Sequence, residues 1–126
     1  MSFGIRPVAL AGHSIGEYVA STIAGVVSVE DALGLIATRA LATERQAQLG
    51  AMLSIVATEQ DATSYVEHES AGNLTIAAYN SPTHFVLSGT VDAVEAAGRP
   101  LSDRGIRTAR LRVNRAFHSP MMQVSP

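Results

Sequence analysis

The 126-residue chain contains no cysteine and no lysine. Without a thiol there is no disulfide framework, no thiolate nucleophile and no cysteine-ligated zinc. The four histidines do not stand at ligand spacings, so no metal site is expected. No apolar stretch approaches the roughly 20 residues that span a bilayer. The first residues also lack the charged and apolar blocks of a secretory signal. The expectation is therefore a cytoplasmic chain with no membrane attachment. A formal net charge of −2 argues against non-specific nucleic-acid binding. All nine basic residues are arginine, and five of them fall between Arg104 and Arg115. That stretch reads either as a solvated strand face or as a docking surface for an acidic partner or a phosphate-bearing substrate.

The chain is one domain's worth of residues at most, and its 47% hydrophobic content is enough for a packed core. Its sharpest local signal is Gly12-His13-Ser14-Ile15-Gly16, which follows the apolar run Val8-Ala9-Leu10-Ala11. An apolar strand, a G-x-S-x-G turn and then a helix beginning near Glu17 make a nucleophile elbow, in which a serine sits in a strained backbone conformation. Glycine two residues to either side is expected to let strand and helix approach closely. The elbow places Ser14 at a helix N-terminus, where the backbone N–H of Ile15 can stabilise an oxyanion. Acyl transfer suits this geometry, although the same pentapeptide also serves as a small-residue packing turn.

Further along, Ser28 reads as the N-cap of a second helix running to about Gln48, with Gly50 as punctuation. Met52–Ala57 reads as a strand, and Thr58 caps a helix that stops at Gly72. Leu74–Tyr79 and His84–Gly89 form a hairpin across Asn80-Ser81-Pro82-Thr83. Thr90 caps a helix from Val91 through Ala97, which Gly98 and Pro100 are expected to shorten or break. Ile106–Val113 reads as a last strand, followed by the loop Asn114–Pro120. From Met52 onward the order is βαββαβ, the ferredoxin-like pattern of one antiparallel sheet with two helices on one side. The expected fold is thus mixed α/β. Residues 1–50 form part of an α/β-hydrolase-like core with the elbow, 51–114 a ferredoxin-like subdomain, and 115–126 a histidine loop returning to the core.

Serine is a weak nucleophile until a base takes its proton, and histidine has the pKa for that task. His118 is the candidate base for Ser14, with an ordinary loop histidine as the competing reading. At this point two blocks, Gly12-His13-Ser14-Ile15-Gly16-Glu17-Tyr18-Val19-Ala20 and Ala116-Phe117-His118-Ser119-Pro120-Met121-Met122, resemble the signatures of malonyl-CoA:acyl-carrier-protein acyltransferases, most nearly those of type I polyketide synthase acyltransferase domains. The similarity continues in Val29–Leu33, Arg39, Gly50-Ala51-Met52-Leu53, Ala78–Pro82 and Val86–Gly89, and so covers almost the whole chain.

The resemblance implies that Ser14 takes an acyl group from coenzyme A and passes it to the phosphopantetheine thiol of an acyl carrier protein, with His118 as base and then acid. No bound cofactor is implied; acyl-CoA and the phosphopantetheinyl carrier protein are substrates. Arg39 would hold the carboxylate of a malonyl-type extender, and His13 would contribute to substrate binding. Phe117 matches the aromatic position that favours malonyl over methylmalonyl in the family. Arg115 departs from the family's pattern, which has His or Tyr three residues before the catalytic histidine.

The resemblance also implies flanking segments of a parent synthase on both sides, which would carry a second oxyanion donor and further strands. On that view the chain is an internal fragment. Two other readings stand beside it. One is a Ser-His-Asp esterase or thioesterase with Asp92 or Asp103 as the acid. The other is a non-catalytic piece of an acyltransferase domain.

Overall fold

In a computed structural model, which describes residues 4, 6–46, 48–68 and 70–123, the chain divides into two compact units, residues 1–45 and 46–126. The first carries α1 (Gly16–Ile23) and α2 (Val29–Gln46). Gly25, at φ +76°, ends α1 in a Schellman-type cap. The Val26 N–H reaches the Ser21 carbonyl at 2.9 Å and the Gly25 N–H reaches that of Thr22 at 3.0 Å. Ser28 starts α2 as expected. Its hydroxyl accepts from the Asp31 N–H at 3.0 Å and donates to the Asp31 carboxylate at 2.8 Å. Glu30 and Asp31 place negative charge at the positive end of the helix dipole.

Val8–Ala11 differs from expectation, because it forms no strand. A strand exists only through bonds to a neighbour, and among the described residues none pairs with this segment. The apolar side chains of this unit are correspondingly uncovered. Val8 is fully exposed, Ile15 at the N-cap of α1, Val19 and Ile23 within it and Leu33 of α2 are each more than half exposed, and Ala32 is the buried hydrophobic residue of this unit among those described. Residues 6–10 and α1 line an open groove of about 760 Å³.

The second unit runs β1 (Ala51–Val56), α3 (Glu59–His68), β2 (Leu74–Ser81), β3 (His84–Gly89), α4 (Val91–Asp103) and β4 (Arg107–Arg110), then a 3₁₀ turn at Pro120–Met122. The strand order is β2-β3-β1-β4 with every neighbouring pair antiparallel, which is the expected ferredoxin-like arrangement. Alternation along the two central strands selects the buried face. Ala51, Leu53 and Ile55 of β1 and Phe85 and Leu87 of β3 join Ala62 and Tyr65 of α3 and Val94, Ala97 and Leu101 of α4 in one core. Thr58 caps α3 by accepting from the Asp61 N–H at 3.1 Å, and Thr90 caps α4 by accepting from the Ala93 N–H at 3.2 Å.

Three boundaries shift. β2 continues through Ser81, so the hairpin turns on Pro82 and Thr83 alone. The last strand is confined to Arg107–Arg110, since only these residues pair with β1 in the ladder. The third correction is α4, which continues through Gly98 and Pro100 to Asp103. Proline removes one backbone donor and crowds the preceding turn, at a cost of about 3 kcal/mol in a helix interior. Val94, Ala97 and Leu101, at 0–1% exposure, lie three and four residues apart on one face. Burying Leu101 alone contributes about 1.5–3 kcal/mol, and ending the helix at Ala97 would forfeit it. Pro100 itself is exposed, so its ring points away from that packing.

Two substitutions should move stability in opposite directions, as measured by urea denaturation of the chain. Leu101→Ala should cost about 2–5 kcal/mol through the cavity it opens. Pro100→Ala should stabilise by about 1–3 kcal/mol by restoring a helical donor, less the chain entropy that proline removes from the unfolded state.

Candidate active site

Ser14 adopts φ +53°, the left-handed region that a residue with a Cβ enters only under constraint. The constraint is visible in the flanking bonds. The N–H groups of Gly16, Glu17 and Tyr18 donate to the carbonyls of His13, Ser14 and Ile15 at 2.9, 3.1 and 3.2 Å, so helical bonding starts within the turn. The Gly12 N–H donates to the Glu17 carboxylate at 3.2 Å, closing the turn from the other side. A Cβ at Gly12 would lie 2.2 Å from the Gly16 carbonyl carbon and 2.3 Å from the Glu17 nitrogen, so only glycine fits there. The expectation for Gly16 does not hold, since a Cβ there would meet nothing within 4 Å. The close approach is thus made by one glycine, with the backbone of the other as its neighbour. The Ser14 side chain is half-buried, while His13 and Ile15 on either side are exposed.

The second cluster is the loop after β4. His118 also adopts a left-handed conformation, φ +57°. Ser119 holds the turn around it. Its hydroxyl donates to the Ala116 carbonyl at 2.6 Å and accepts from the Met121 N–H at 3.3 Å, capping the 3₁₀ turn in which Pro120 leads. The loop is seated on the sheet through Gly50, whose N–H donates to the Asn114 carbonyl at 3.2 Å, and through an antiparallel bridge between Leu49 and Arg115. Ala116 is fully buried, and a Cβ at Gly50 would lie 2.6 Å from the Ala116 Cβ. His118 is exposed and Phe117 half-buried at the tip of this seated loop.

The structure therefore gathers His13, Ser14 and Ile15 on one turn of the first unit, and Phe117 and His118 on one turn of the second. Arg39 stands apart from both turns in sequence, half-buried on α2. Asp92 and Asp103, the acids of the hydrolase alternative, lie in the first turn and at the end of α4. Glu17, Gly50 and Ser119 support the two turns and went unnoticed as site residues. Ser119-Pro120 carries a readable signal, a serine cap followed by proline at the first helical position. Gly50 carries none, because a glycine after a helix reads equally well as a stop.

Comparison with known proteins is consistent along the chain. The family model described as acyl transferase domain matches residues 1–125. The spectinabilin polyketide synthase system protein NorB of Streptomyces orinoci is 45% identical over 120 residues, 95% of this chain and 6% of that protein. Among solved structures, the acyltransferase domain from the second module of the salinomycin polyketide synthase superposes with a TM-score of 0.83 at 45% identity, over 96% of this chain and 28% of that one. A malonyl CoA-acyl carrier protein transacylase from Clostridium perfringens superposes at 0.82 with 26% identity, over 96% of this chain and 40% of that one. The chain thus spans well under half the length of each of these relatives.

Gly12→Ala tests the elbow without touching Ser14. The added methyl should displace Gly16 and cost on the order of 1–3 kcal/mol, as overpacking does. The check is faster amide hydrogen exchange at Gly16, Glu17 and Tyr18, whose bonds define the turn.

Proposed function

The chain belongs to the acyl transferase domain family, and on that premise we propose that it carries the nucleophile and base of a malonyl-type acyl transfer from coenzyme A to a carrier-protein thiol. The observation that carries this reading is the left-handed Ser14 at the head of α1, wedged by Gly12. Such strain persists only where the surrounding structure imposes it.

In the first step the Ser14 Oγ attacks the thioester carbonyl of malonyl-CoA while His118 removes its proton. The tetrahedral oxyanion is met by the Ile15 N–H. The neighbouring amides of Gly16, Glu17 and Tyr18 are committed to carbonyls of the turn, which favours Ile15 for this role. Collapse expels the coenzyme A thiolate, which takes the proton from His118 and leaves malonyl on Ser14. In the second step His118 deprotonates the phosphopantetheine thiol of the carrier protein. The thiolate attacks the acyl-serine ester, and the proton returns to Ser14. Arg39 pairs its planar guanidinium with the free malonyl carboxylate, His13 borders the substrate, and Phe117 narrows the acyl pocket against a methyl branch.

The flanking acyltransferase segments of a parent synthase are the further partner in this reading. The uncovered apolar side chains of Val8, Val19, Ile23 and Leu33 support it, because exposed apolar surface favours burial against another surface. The same observation favours a second reading, in which these residues alone retain the family's fold without its turnover. The esterase alternative loses support. Between Ser14 and His118 lies an antiparallel βαββαβ unit, where a hydrolase would have parallel β and α units.

Incubation with malonyl-CoA followed by intact-mass spectrometry should reveal a malonyl adduct that Ser14→Ala abolishes, a loss of at least about a thousandfold. A folded wild-type chain that acquires no adduct supports the second reading. Arg39→Ala should reduce malonyl loading by about 10- to 100-fold while sparing acetyl loading, the worth of a charge-assisted pair. Equal losses for both acyl groups would remove Arg39 from carboxylate recognition.

A further inference from the structure

A serine and a histidine also meet within the ferredoxin-like sheet. The Ser54 Oγ and the His84 Nε2 lie 2.7 Å apart, and both residues are half-buried. A histidine within roughly 2.6–3.2 Å of a serine hydroxyl can take its proton. The register of the sheet explains the contact. Ser54 stands opposite Val86 of β3 and His84 opposite Val56 of β1, so the two are diagonal neighbours across that ladder. Leu53 and Ile55 enter the core under α3 and α4, which sends Ser54 and Val56 to the other face.

On its second side β1 pairs with β4, where Ala109 stands opposite Ser54 and Arg107 opposite Val56. Arg107 is therefore the diagonal neighbour of Ser54 on β4, as His84 is on β3. Diagonal positions lie about 7–8 Å apart, within reach of a long side chain. Arg107 is exposed and makes no ion pair among the described residues, and Ala109 beside it is small and exposed. Three strands thus bring a nucleophile, a base and a guanidinium to one face of the sheet. Ser88 shares that face but stands opposite Met52, fully buried and with no partner for its hydroxyl, so it has neither access nor a base.

The backbone around Ser54 restricts the donor it can use. β1 lies between β3 and β4, so its amides are committed to the two ladders and none is left to meet an oxyanion. Acylation here then depends on a leaving group that departs readily, and Arg107 favours one that is anionic. A phosphate meets both conditions, with a second pKa of about 6 against about 8.5 for a thiol.

We propose that Ser54, with His84 as its base and Arg107 as its anion contact, is an acyl-accepting site for acyl phosphates. The Ser54 Oγ donates its proton to Nε2 of the neutral His84 ring, whose own proton is on Nδ1, and attacks the acyl carbonyl. The Oγ–C ester bond forms, the C–O bond to phosphate breaks, and the departing phosphate takes the proton from Nε2. A coenzyme A thioester carries a more basic leaving group, which makes malonyl-CoA a poor donor at this site. The proposal stands apart from the transfer chemistry proposed for Ser14.

The chain has no cysteine and no lysine, so acyl groups can rest only on hydroxyls, on the terminal amine and, transiently, on histidine. The Ser14→Ala variant, which makes the outcome independent of Ser14, is incubated with acetyl phosphate, and adducts are located by peptide mass spectrometry. Hydroxylamine, which cleaves esters and spares amides, separates serine adducts from the terminal amine. Circular dichroism checks that each further variant is folded. An acetyl ester at Ser54 that Ser54→Ala removes is the expected result. No ester, or esters spread over exposed serines such as Ser81, would overturn the proposal. His84→Gln keeps a polar side chain beside Ser54 but removes the base, and should slow the reaction about 100-fold. An unchanged rate would make Ser54 an ordinary hydroxyl and overturn the proposal. Arg107→Ala should slow the reaction with acetyl phosphate about tenfold and leave that with p-nitrophenyl acetate, an activated donor without phosphate, unchanged. Equal behaviour of the two donors would overturn the assignment to acyl phosphates.

Discussion

Two positions without a side chain, Gly12 and Gly50, set where the chemistry-bearing residues of this chain can stand. At each, backbone approaches backbone more closely than any Cβ allows. Gly12 brings the segment before the elbow against the start of α1, and the residue between them, Ser14, is driven into a left-handed conformation. Gly50 lets the loop beyond β4 settle against the beginning of β1, with Ala116 buried beneath it and His118 displayed at its tip. Both side chains of the proposed mechanism are thus carried on tight turns held to regular elements, which locates a side chain more narrowly than a free loop does.

The two units differ in how much of their apolar surface they cover. The ferredoxin-like unit closes its own core. Its sheet lays Leu53, Ile55, Phe85 and Leu87 under α3 and α4, and the energy of that layer is enough to carry α4 across a proline. The first unit leaves the apolar side chains of its helices largely exposed. Ile15 at the N-cap of α1 and Val19 and Ile23 within it recur at the spacing of a buried stripe, and all three remain more than half exposed. A helix with such a stripe gains most of its stability from packing, so the elbow's rigidity depends on what covers α1.

The charge distribution adds a separate layer. The acidic residues are spread over the helices, while the arginines gather on one edge of the sheet and lead toward the histidine loop. This asymmetry lies outside the core, because most of these side chains are exposed.

Much of this was readable from local pattern. The caps at Ser28, Thr58 and Thr90, the elbow around Ser14 and the βαββαβ order each depend on neighbours a few residues away, and such short-range chemistry survives in a linear reading. Where the reading missed, a distant contact outweighed a local preference. Pro100 is a helix breaker by itself, yet Leu101 packs in the core of a sheet whose first strand lies about 45 residues earlier, and burial wins. Val8–Ala11 has the composition of a strand, but hydrogen bonds to a partner make a strand, and composition supplies none. The sequence by itself determined where the helices begin, the order of elements from β1 to β4 and which serine stands in an elbow, because those follow from spacing and from the sterics of single residues. Tertiary structure alone decided where α4 ends, which glycine is sterically required and what seats the His118 loop, because each depends on atoms brought together from segments far apart in the chain.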